Sequence, residues 1–371
     1  MDLTASRYRC TVLKSPLGSH ANAVRETIAA LCEQQLEPDV LIREVAGRVG
    51  RVVPYDTAAW MRTDPETLLP TDVLTIGMPS NDSVSLEKAR SEFVNHDFNR
   101  FIDLDQSRQS VGTLATATKG DLSLSERHRS VYVPRGLHDE LRLVARSGTS
   151  TWAMACLVRA SDLPLFTADE ARFLSAIARH VGDGLRASLA ARTTRYHAGV
   201  RGGRGMLVLD RTGRIEAATP EGDRWLRRLP QQPPGDTPIA VAMVALQAAI
   251  SAAHGGRPAR ARLRMSDGCW LLVHADILVG DIAEDHKIAV MLEPAGPAEM
   301  LPMLFALHGF TARERQVADF LLTGHGTDEI ADQLNVSRHT VRDHVKSMFA
   351  KTRVSSRAEL TAVLAGDALA S

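Results

Sequence analysis

The chain lacks the residue patterns on which several protein classes depend. Its four cysteines, Cys10, Cys32, Cys156 and Cys269, are scattered over 371 residues with no CxxC pair and no metal-ligand spacing. This distribution argues against a disulfide framework or a metal site and is typical of a reducing compartment. No basic-then-apolar leader opens the sequence, so we expect a protein that is not secreted.

Long hydrophobic runs are missing as well. The longest one, from Ile239 to Ile250, is rich in alanine, is interrupted by Gln247 and is too short to span a bilayer. Lys and Arg together number 44, and so do Asp and Glu, so the overall charge gives no sign of a polyanionic partner. We expect a cytoplasmic protein of two or three domains with no membrane partner.

Motifs of common enzyme classes are also absent from the sequence. It contains no GxxxxGK[ST] phosphate loop, no HExxH and no GxSxG. The glycine-rich stretch 202–205 precedes a strand pattern and does not open a helix, which indicates a linker and not a dinucleotide-binding loop. We therefore predict no enzymatic activity and no cofactor.

Residues 21–190 have the mixed pattern of an α+β domain. Two helical patterns come first, followed by strand patterns near 55–63 and 68–76. Two longer strand patterns, 137–147 and 151–160, are separated by residues typical of a hairpin turn. Thr167, followed by Asp169 and Glu170, marks the start of a closing helix. Residues 1–20 show no periodicity and are predicted to be a tail.

A smaller α/β unit is predicted over residues 205–294. The stretch before it, 191–204, is rich in Arg and Gly and is predicted to be a linker. Within the unit, helical patterns lie near Trp225 and over 238–253, and five strand patterns lie at 206–210, 214–218, 259–266, 269–279 and 287–293. Residues 295–307 are predicted to link this unit to a C-terminal domain, 308–371.

The C-terminal region carries explicit helix start signals. Thr311 and Glu314 match the two ends of a capping box, and the four residues from Ser356 match a second one. Between them, Thr327 and Ser337 are predicted to cap two further helices. The sequence therefore predicts four helices, the third running from Ser337 to about residue 352.

This third helix is predicted to have one apolar and one polar face. At 100° per residue, the core side consists of Val341, Val345, Met348 and Phe349. The opposite side consists of His339, Arg342, Asp343, Lys346 and Ala350. Between residues 337 and 357 the chain has six Lys/Arg residues and one acid, and such a local concentration of cations suits the neutralisation of phosphates. The pattern favours a helix in the major groove of DNA, with a solvated basic face as the alternative.

Residues 308–366 resemble the LuxR/FixJ-type (GerE-like) helix-turn-helix. The positions that match its pattern are Thr311, Glu314, Gly324, Ile330, Ala331, Leu334, Ser337, Thr340, Val341, His344, Phe349, Lys351, Val354 and Arg357. The resemblance implies a four-helix domain whose third helix enters the major groove and whose fourth often dimerises. It also implies base-facing side chains at Arg342, Asp343 and Lys346. The phosphate contacts that it implies are Ser337, Arg338, Thr340, Lys351 and Arg357.

Two details of the third helix bear on this interpretation. Arg338 and His339 occupy the first turn, where the helix dipole disfavours cations unless a polyanion meets them. Asp343 could accept a hydrogen bond from a cytosine amino group. It could also pair with His339, Lys346 or Arg342 and fix their rotamers, and we favour this second role.

The two preceding units resemble sensory domains. Residues 21–190 resemble a GAF domain through the strand 55–60 with its preceding helix, the hairpin 137–160 and the closing helix. Residues 200–293 resemble a PAS domain through the segment 205–215 and three late strands. The side chains that could line a GAF-type cavity are Trp60, His96, Phe98, His138, Trp152 and Cys156, and those for a PAS-type cavity are Trp225, Trp270 and His274. For all of them, plain core packing is the alternative.

The sequence thus predicts a multidomain α+β protein with a GAF-like α/β domain, a smaller PAS-like α/β domain and an all-α four-helix domain. Its predicted function is that of a homodimeric transcription regulator that binds double-stranded DNA and responds to a small-molecule effector. One alternative is a haem- or flavin-dependent redox sensor or enzyme with a DNA-binding tail. The other is a regulator whose sensory modules only dimerise.

Overall fold

The computed structural model describes residues 18–77, 92, 97–193, 202–210, 213–229, 237–254, 259–265, 267–278 and 287–366. Most of the predicted tail, 1–20, lies outside these residues, and the first helix already begins at Gly18. Residues 194–201 of the predicted linker 191–204 and the candidate ligand residue His96 also lie outside them.

The first unit is a five-stranded antiparallel sheet with helices. Its strands are β1 (Thr57–Thr63), β2 (Pro70–Ile76), β3 (Val111–Thr113), β4 (Leu137–Ser147) and β5 (Ser150–Ala160), in the order β2-β1-β5-β4-β3. Its helices are α1 (Gly18–Glu33), α2 (Pro38–Val49), α3 (Phe101–Gln106), α4 (Leu114–Ala117) and α5 (Ala168–Thr193), with shorter helical turns at Leu122–Leu124, His128–Tyr132 and Val133–Arg135. The predicted hairpin is confirmed as the β4–β5 pair.

Both faces of this sheet are covered. On one face, Trp60 and Leu143 share a core with residues of α1, α2 and α5. On the other face, Met154 and Cys156 pack against residues from the segment 101–132. Since successive residues of a strand point to opposite faces, β5 is buried at every position except its last residue.

The second unit has a sheet with the same strand order as the first. Its strands are β6 (Gly205–Leu209), β7 (Ile215–Ala218), β8 (Arg260–Arg264), β9 (Trp270–Leu278) and β10 (Lys287–Pro294), in the order β7-β6-β10-β9-β8. Its helices are α6 (Pro220–Arg228) and α7 (Ile239–His254). In the described ranges, no helix, α7 included, combines the length and apolarity that a membrane crossing needs.

The two sheet units share their cores. Leu69, from the loop between β1 and β2 of the first unit, is buried in the core of the second unit together with Leu207 and Val241. In the other direction, Trp270 and Leu272 of β9 belong to the large core that includes α5 of the first unit. The sheet units therefore pack as neighbours with a common apolar interface.

The segment 295–307, predicted to be a linker, instead contains a buried helix, α8 (Pro297–Leu307). Inside this helix, Pro302 has no N–H to donate to the carbonyl of Ala298. Met303 and Leu304 are buried in the large core, and burial of such side chains is worth about 1.5–3 kcal/mol each. Packing therefore outweighs the lost hydrogen bond.

The four predicted C-terminal helices are confirmed. They are α9 (Ala312–Leu322), α10 (Thr327–Leu334), α11 (Arg338–Thr352) and α12 (Arg357–Ala365). The capping box at α9 is present, with the Glu314 amide donating to Thr311 Oγ1 at 3.2 Å and the Thr311 amide donating to Glu314 Oε2 at 2.6 Å. The N-cap predicted at Thr327 is wrong by one residue, because Thr327 is the first residue of α10 and Gly326 is its N-cap. The Glu329 carboxylate accepts from the Gly326 amide.

Two glycines in helices test this packing. A Cβ on Gly182 of α5 would lie 2.3 Å from the Arg146 carbonyl of β4, whereas a Cβ on Gly47 of α2 would meet nothing within 4 Å. We expect Gly182→Ala to lower the free energy of unfolding by about 1–3 kcal/mol through overpacking. The matched variant Gly47→Ala should raise it by about 0.5–1 kcal/mol, because alanine costs less entropy in a helix. Urea unfolding measures both, and equal effects of the two variants would contradict the close packing of α5 on β4.

Candidate nucleic-acid interface

The helix α11 is defined by signals at both of its ends. Ser337 precedes it in extended conformation, and its hydroxyl accepts from the Thr340 amide at 3.1 Å, as predicted for an N-cap. At the other end, Arg353 takes a left-handed conformation with φ of 59°, and the Val354 amide donates to the Phe349 carbonyl. The short turn between α10 and α11 includes Asn335, also left-handed. The pair α10–α11 is therefore a helix-turn-helix.

The predicted sidedness of α11 is confirmed. Val341, Val345 and Met348 are buried in the core of the four-helix region. Arg342 and Lys346 point the other way and are exposed. Within the described residues, neither of these two cations has an ion-pair or hydrogen-bond partner. Both are thus free to meet an external anion.

His339 and Asp343 form a pair on the same exposed face. Their Nδ1 and Oδ2 atoms are 2.8 Å apart, one helical turn along α11, and both side chains are more than half exposed. This geometry supports the second role considered for Asp343, in which it fixes the rotamer of a neighbouring side chain. It places that carboxylate between the two free cations along the helix.

The first-turn cation Arg338 has an internal counterion. Its Nε lies 2.9 Å from Asp328 Oδ1 in the first turn of α10, and both side chains are exposed. An exposed pair of this kind is worth little, about 0–1 kcal/mol, so the guanidinium can be drawn to another anion at small cost. Arg357, at the start of α12, donates to the hydroxyl of Thr327 at the start of α10 and is also exposed.

Lys351 does not take the place predicted for it. Its ammonium lies 2.6 Å from Glu314 Oε2, 2.9 Å from Oε1 and 3.0 Å from the Gly309 carbonyl. An ammonium has three protons, and these three acceptors use them inside the domain. The geometry replaces the predicted phosphate contact with a structural ion pair, whose partner lies 37 residues earlier in the chain.

Glu314 accepts hydrogen bonds both from the start of α9 and from α11. Only 3% of its side chain is exposed, and it accepts from the Thr311 amide, the Ser347 hydroxyl at 2.7 Å and Lys351. Burial alone raises the pKa of Glu314, but the hydrogen bonds from Lys351, Ser347 and Thr311 outweigh it and hold the pKa below 4.5. The charged carboxylate therefore ties the start of α9 to the second half of α11.

Among the described side chains predicted to line a ligand cavity in the first unit, Trp60, Trp152 and Cys156 do not share one cavity. Trp60 lines a cavity of about 190 Å³ beside α2 and β2, while Trp152 lines one of about 20 Å³ near the second unit. Cys156 lies on the opposite face of the sheet from Trp60. His138 is on β4 with its ring 5.8 Å from that of His128. Phe98 is bonded through its backbone, its carbonyl accepting from Arg127 and its amide donating to Asp97.

The candidates in the second unit are also dispersed. Trp225 is buried, and its indole N–H donates to the Gly203 carbonyl at 2.9 Å. Trp270 belongs to the large shared core. His274, on β9, lies 3.4 Å from a carboxylate oxygen of Glu293 on β10. For the two tryptophans, the alternative of plain core packing fits better.

A buried ionic cluster in the first unit was missed at the level of sequence. Glu140 Oε2 accepts from Arg127 Nη2 at 2.6 Å, and Glu140 Oε1 lies 3.0 Å from Arg142 Nε and 2.9 Å from Cys156 Sγ. Burial raises the pKa of Glu140, but the two guanidinium groups outweigh it and lower that pKa far below its ordinary range. Because charged residues are usually exposed, alternating charged residues in β4 indicate a solvent-facing side of the strand. The sequence therefore shows no sign of a buried cluster.

Comparison with known proteins assigns the C-terminal region to a family. Residues 308–364 match the family of bacterial regulatory proteins called the luxR family. Residues 308–364 are a luxR-family helix-turn-helix domain. The luxR-family domain comprises α9, α10, α11 and nearly all of α12, with the turn before α11 in the expected place.

A curated relative matches over a short stretch. It is a putative HTH-type transcriptional regulator in the exeN 3′ region of Aeromonas salmonicida, 50% identical over 50 residues, which are 14% of this chain and 26% of that protein. The chain thus matches only about a quarter of that relative's length.

Two solved structures are distantly similar to this chain. The VqsR LBD domain of Pseudomonas aeruginosa is 16% identical and covers 44% of this chain and 94% of its own, with a TM-score of 0.30. The GAF domain/HD domain protein of Geobacter sulfurreducens is 17% identical and covers 39% and 90%, with a TM-score of 0.29. The GAF-like and PAS-like assignments and the predicted domain boundaries stay predictions.

The ion pair of Lys351 can be tested by removing its charge. We expect Lys351→Met to lower the free energy of unfolding at pH 7 by about 3 kcal/mol, because it leaves Glu314 buried and unpaired. Glu314 has a lowered pKa in the folded chain, so its contribution is present above its unfolded pKa and is lost as the pH falls below about 4.5. The difference between the two proteins should therefore shrink in acid.

The matched control is Lys346→Met, on the same helix but exposed, which should change stability by less than about 0.5 kcal/mol. Urea unfolding at pH 7 and pH 4 measures both variants. If Lys351→Met had the stability of the wild type and lowered only the salt dependence of DNA binding, the result would support the predicted phosphate contact of Lys351. The structural role would then be rejected.

Proposed function

We propose that this chain is a transcription regulator that binds double-stranded DNA through α11. The observation that carries the proposal is the pair of exposed cations, Arg342 and Lys346, which have no partner in the described residues and lie opposite a buried valine face. An α-helix is about 10–12 Å across and fits the major groove of B-DNA. The luxR-family match of the same residues supports this role.

Within the proposed interface, the side chains divide into two groups. Arg342 and Lys346, at the centre of the outer face, are assigned to base edges, with Asp343 and His339 holding each other between them. Ser337, Arg338 and Thr340 at the start of α11, together with Arg357, are assigned to phosphates. Backbone amides and cations at a helix N-terminus favour an anion there, and such contacts set the position of the helix without reading sequence.

The double variant Arg342→Ala/Lys346→Ala tests the proposal. A DNA duplex is first selected by the wild-type chain from a randomised library, and its affinity is then measured by fluorescence anisotropy at fixed salt. We expect at least a ten-fold loss of affinity, since each base contact is worth about 1–3 kcal/mol. The base preferences that the wild type shows should also weaken.

The matched control is Arg172→Ala/Arg179→Ala, which removes two cations from α5. Both side chains are at least 75% exposed, so the change in total charge is the same and the interface is left intact. The affinity of this control for the selected duplex should be within about two-fold of that of the wild type. An equal loss in both double variants would mean that only the net charge matters, and α11 would not be the reading helix.

We further propose that the chain acts as a homodimer and that a small molecule bound in the sheet units alters DNA binding. Dimers of helix-turn-helix regulators bind two DNA half-sites that lie about one helical turn apart, so a dimer suits this domain. The effector would shift the population between arrangements of the two DNA-binding domains. The presence of two sheet units with the same strand order, both N-terminal to α8, supports a sensory role for this part.

Native mass spectrometry of the chain, purified without refolding, tests both statements. We expect a species at twice the 40.3 kDa chain mass, together with an added mass of a few hundred daltons that disappears under denaturing conditions. An absorption spectrum of the same sample separates a coloured haem or flavin from a colourless effector. A single species at the bare chain mass, unchanged with concentration, would contradict the proposed dimer and leave no bound effector.

A further inference from the structure

The helix α8 directly precedes the luxR-family domain in the chain and is only marginally stable by itself. It has 11 residues and a proline at its sixth position, and isolated helices of this length are marginal in water. Pro302 also removes one of its internal hydrogen bonds. Its formation and its orientation therefore depend on groups outside it.

One such group is Arg262, from β8 of the second unit. Its Nε donates to the Glu299 carbonyl in the first turn of α8, and its Nη1 lies 2.8 Å from Asp64 Oδ2 of the first unit. The side chains of Arg262 and Asp64 are both 0% exposed. Arg262 also bonds Glu66, from the same loop of the first unit. A single buried guanidinium thus joins both sheet units to the start of α8.

Asp64 is itself fixed in place. Its Oδ2 also accepts from the Arg262 amide at 2.9 Å, and its Oδ1 accepts from the Glu66 amide at 2.9 Å. The loop that contains it ends at Leu69, which is buried in the core of the second unit. Movement of this loop relative to the second sheet would therefore unpair Arg262.

The other end of α8 is held by the first unit. Arg186 of α5 donates from Nη1 to the Leu307 carbonyl at 2.8 Å and from Nε to the Ser147 hydroxyl of β4 at 2.8 Å. A cation at the last carbonyls of a helix is favoured by the helix dipole. Two residues further on, the Gly309 carbonyl accepts from Lys351 of α11. The end of α8 is thereby connected to the proposed recognition helix.

We propose that Arg262 and Arg186 are two clamps through which the sheet units hold α8 and set the orientation of the luxR-family domain. This regulation rests on the proposed function, since it matters only if that domain binds DNA. A ligand or partner that shifts either sheet unit would loosen one clamp. The luxR-family domain would then be released at that end of α8 without any change in its own fold.

Hydrogen exchange followed by mass spectrometry tests the clamps in the full chain and without DNA. The first variant is Arg262→Met/Asp64→Asn, which removes both buried charges together, and Glu66, which is 29% exposed, can turn to water. We expect amides of α8 to exchange about ten-fold faster, with rates in α11 unchanged. Its control is Arg227→Met/Asp223→Asn, the same two changes in an exposed pair of α6, which should leave α8 unchanged.

The second variant keeps the experiment decisive if the first one does not fold. Arg186 is only half-buried, so Arg186→Met removes the clamp at the other end with little risk to the fold. We expect about ten-fold faster exchange confined to the amides around residues 304–310. The exposed Arg179→Met on the same helix is its control. Unchanged exchange in α8 in the folded variants, or an equal increase throughout the second unit, would overturn the proposal.

The same variants separate this proposal from the proposed function. Affinity for a random-sequence 30-bp duplex reports the basic face of α11, which the clamps do not touch, so the clamp variants should bind it within about two-fold of the wild type. If the wild type itself fails to bind DNA, the proposed function is wrong while the exchange results still decide the clamps. If DNA binds and exchange in α8 does not respond, only the clamps are wrong.

Discussion

The position of α11 depends on one buried carboxylate. Glu314 is charged in a place where water cannot solvate it, so it must keep every donor that it has: the Thr311 amide, the Ser347 hydroxyl and the Lys351 ammonium. A rotation of α11 about its own axis would move two of these donors away and leave the charge unpaired, which costs several kcal/mol. The valine face alone would tolerate small rotations. The carboxylate fixes the angle at which Arg342 and Lys346 leave the domain.

The bounds of the C-terminal helices could be predicted because their signals are local. Capping residues act within three or four positions, and Thr311 and Ser337 do what the sequence indicates. The outward direction of Arg342 and Lys346 follows from helical periodicity alone. The partner of Lys351 could not be predicted in this way. Periodicity shows on which side a cation lies, but an acceptor 37 residues away depends on how two helices pack.

The same distinction explains the errors in the rest of the chain. The strands of both sheets except β3 could be predicted from alternation and turn residues, and the observed bounds differ by only a few residues. The strand β3 has three residues, too few to show an alternating pattern. Alternation does not show that a second layer covers the far face of β4 and β5. The aromatic candidates Trp60 and Trp152 were grouped by residue type, although the structure places them at different cavities. The buried charges Arg127, Glu140 and Arg142 have the composition of a surface, and only their mutual pairing allows them inside.

The junction between the sheet units limits the kinds of motion that can pass through it. A hinge would pull Leu69 out of the second core and separate Asp64 from Arg262, exposing apolar surface and unpairing a buried charge at once. Wide opening therefore costs much more than a shift of about an ångström that keeps both contacts closed. The Glu299 carbonyl accepts from the same guanidinium, so a small shift of the pair is enough to loosen this clamp on the first turn of α8. A signal that reaches the luxR-family domain by this route is a displacement within a packed interface and not a separation of domains.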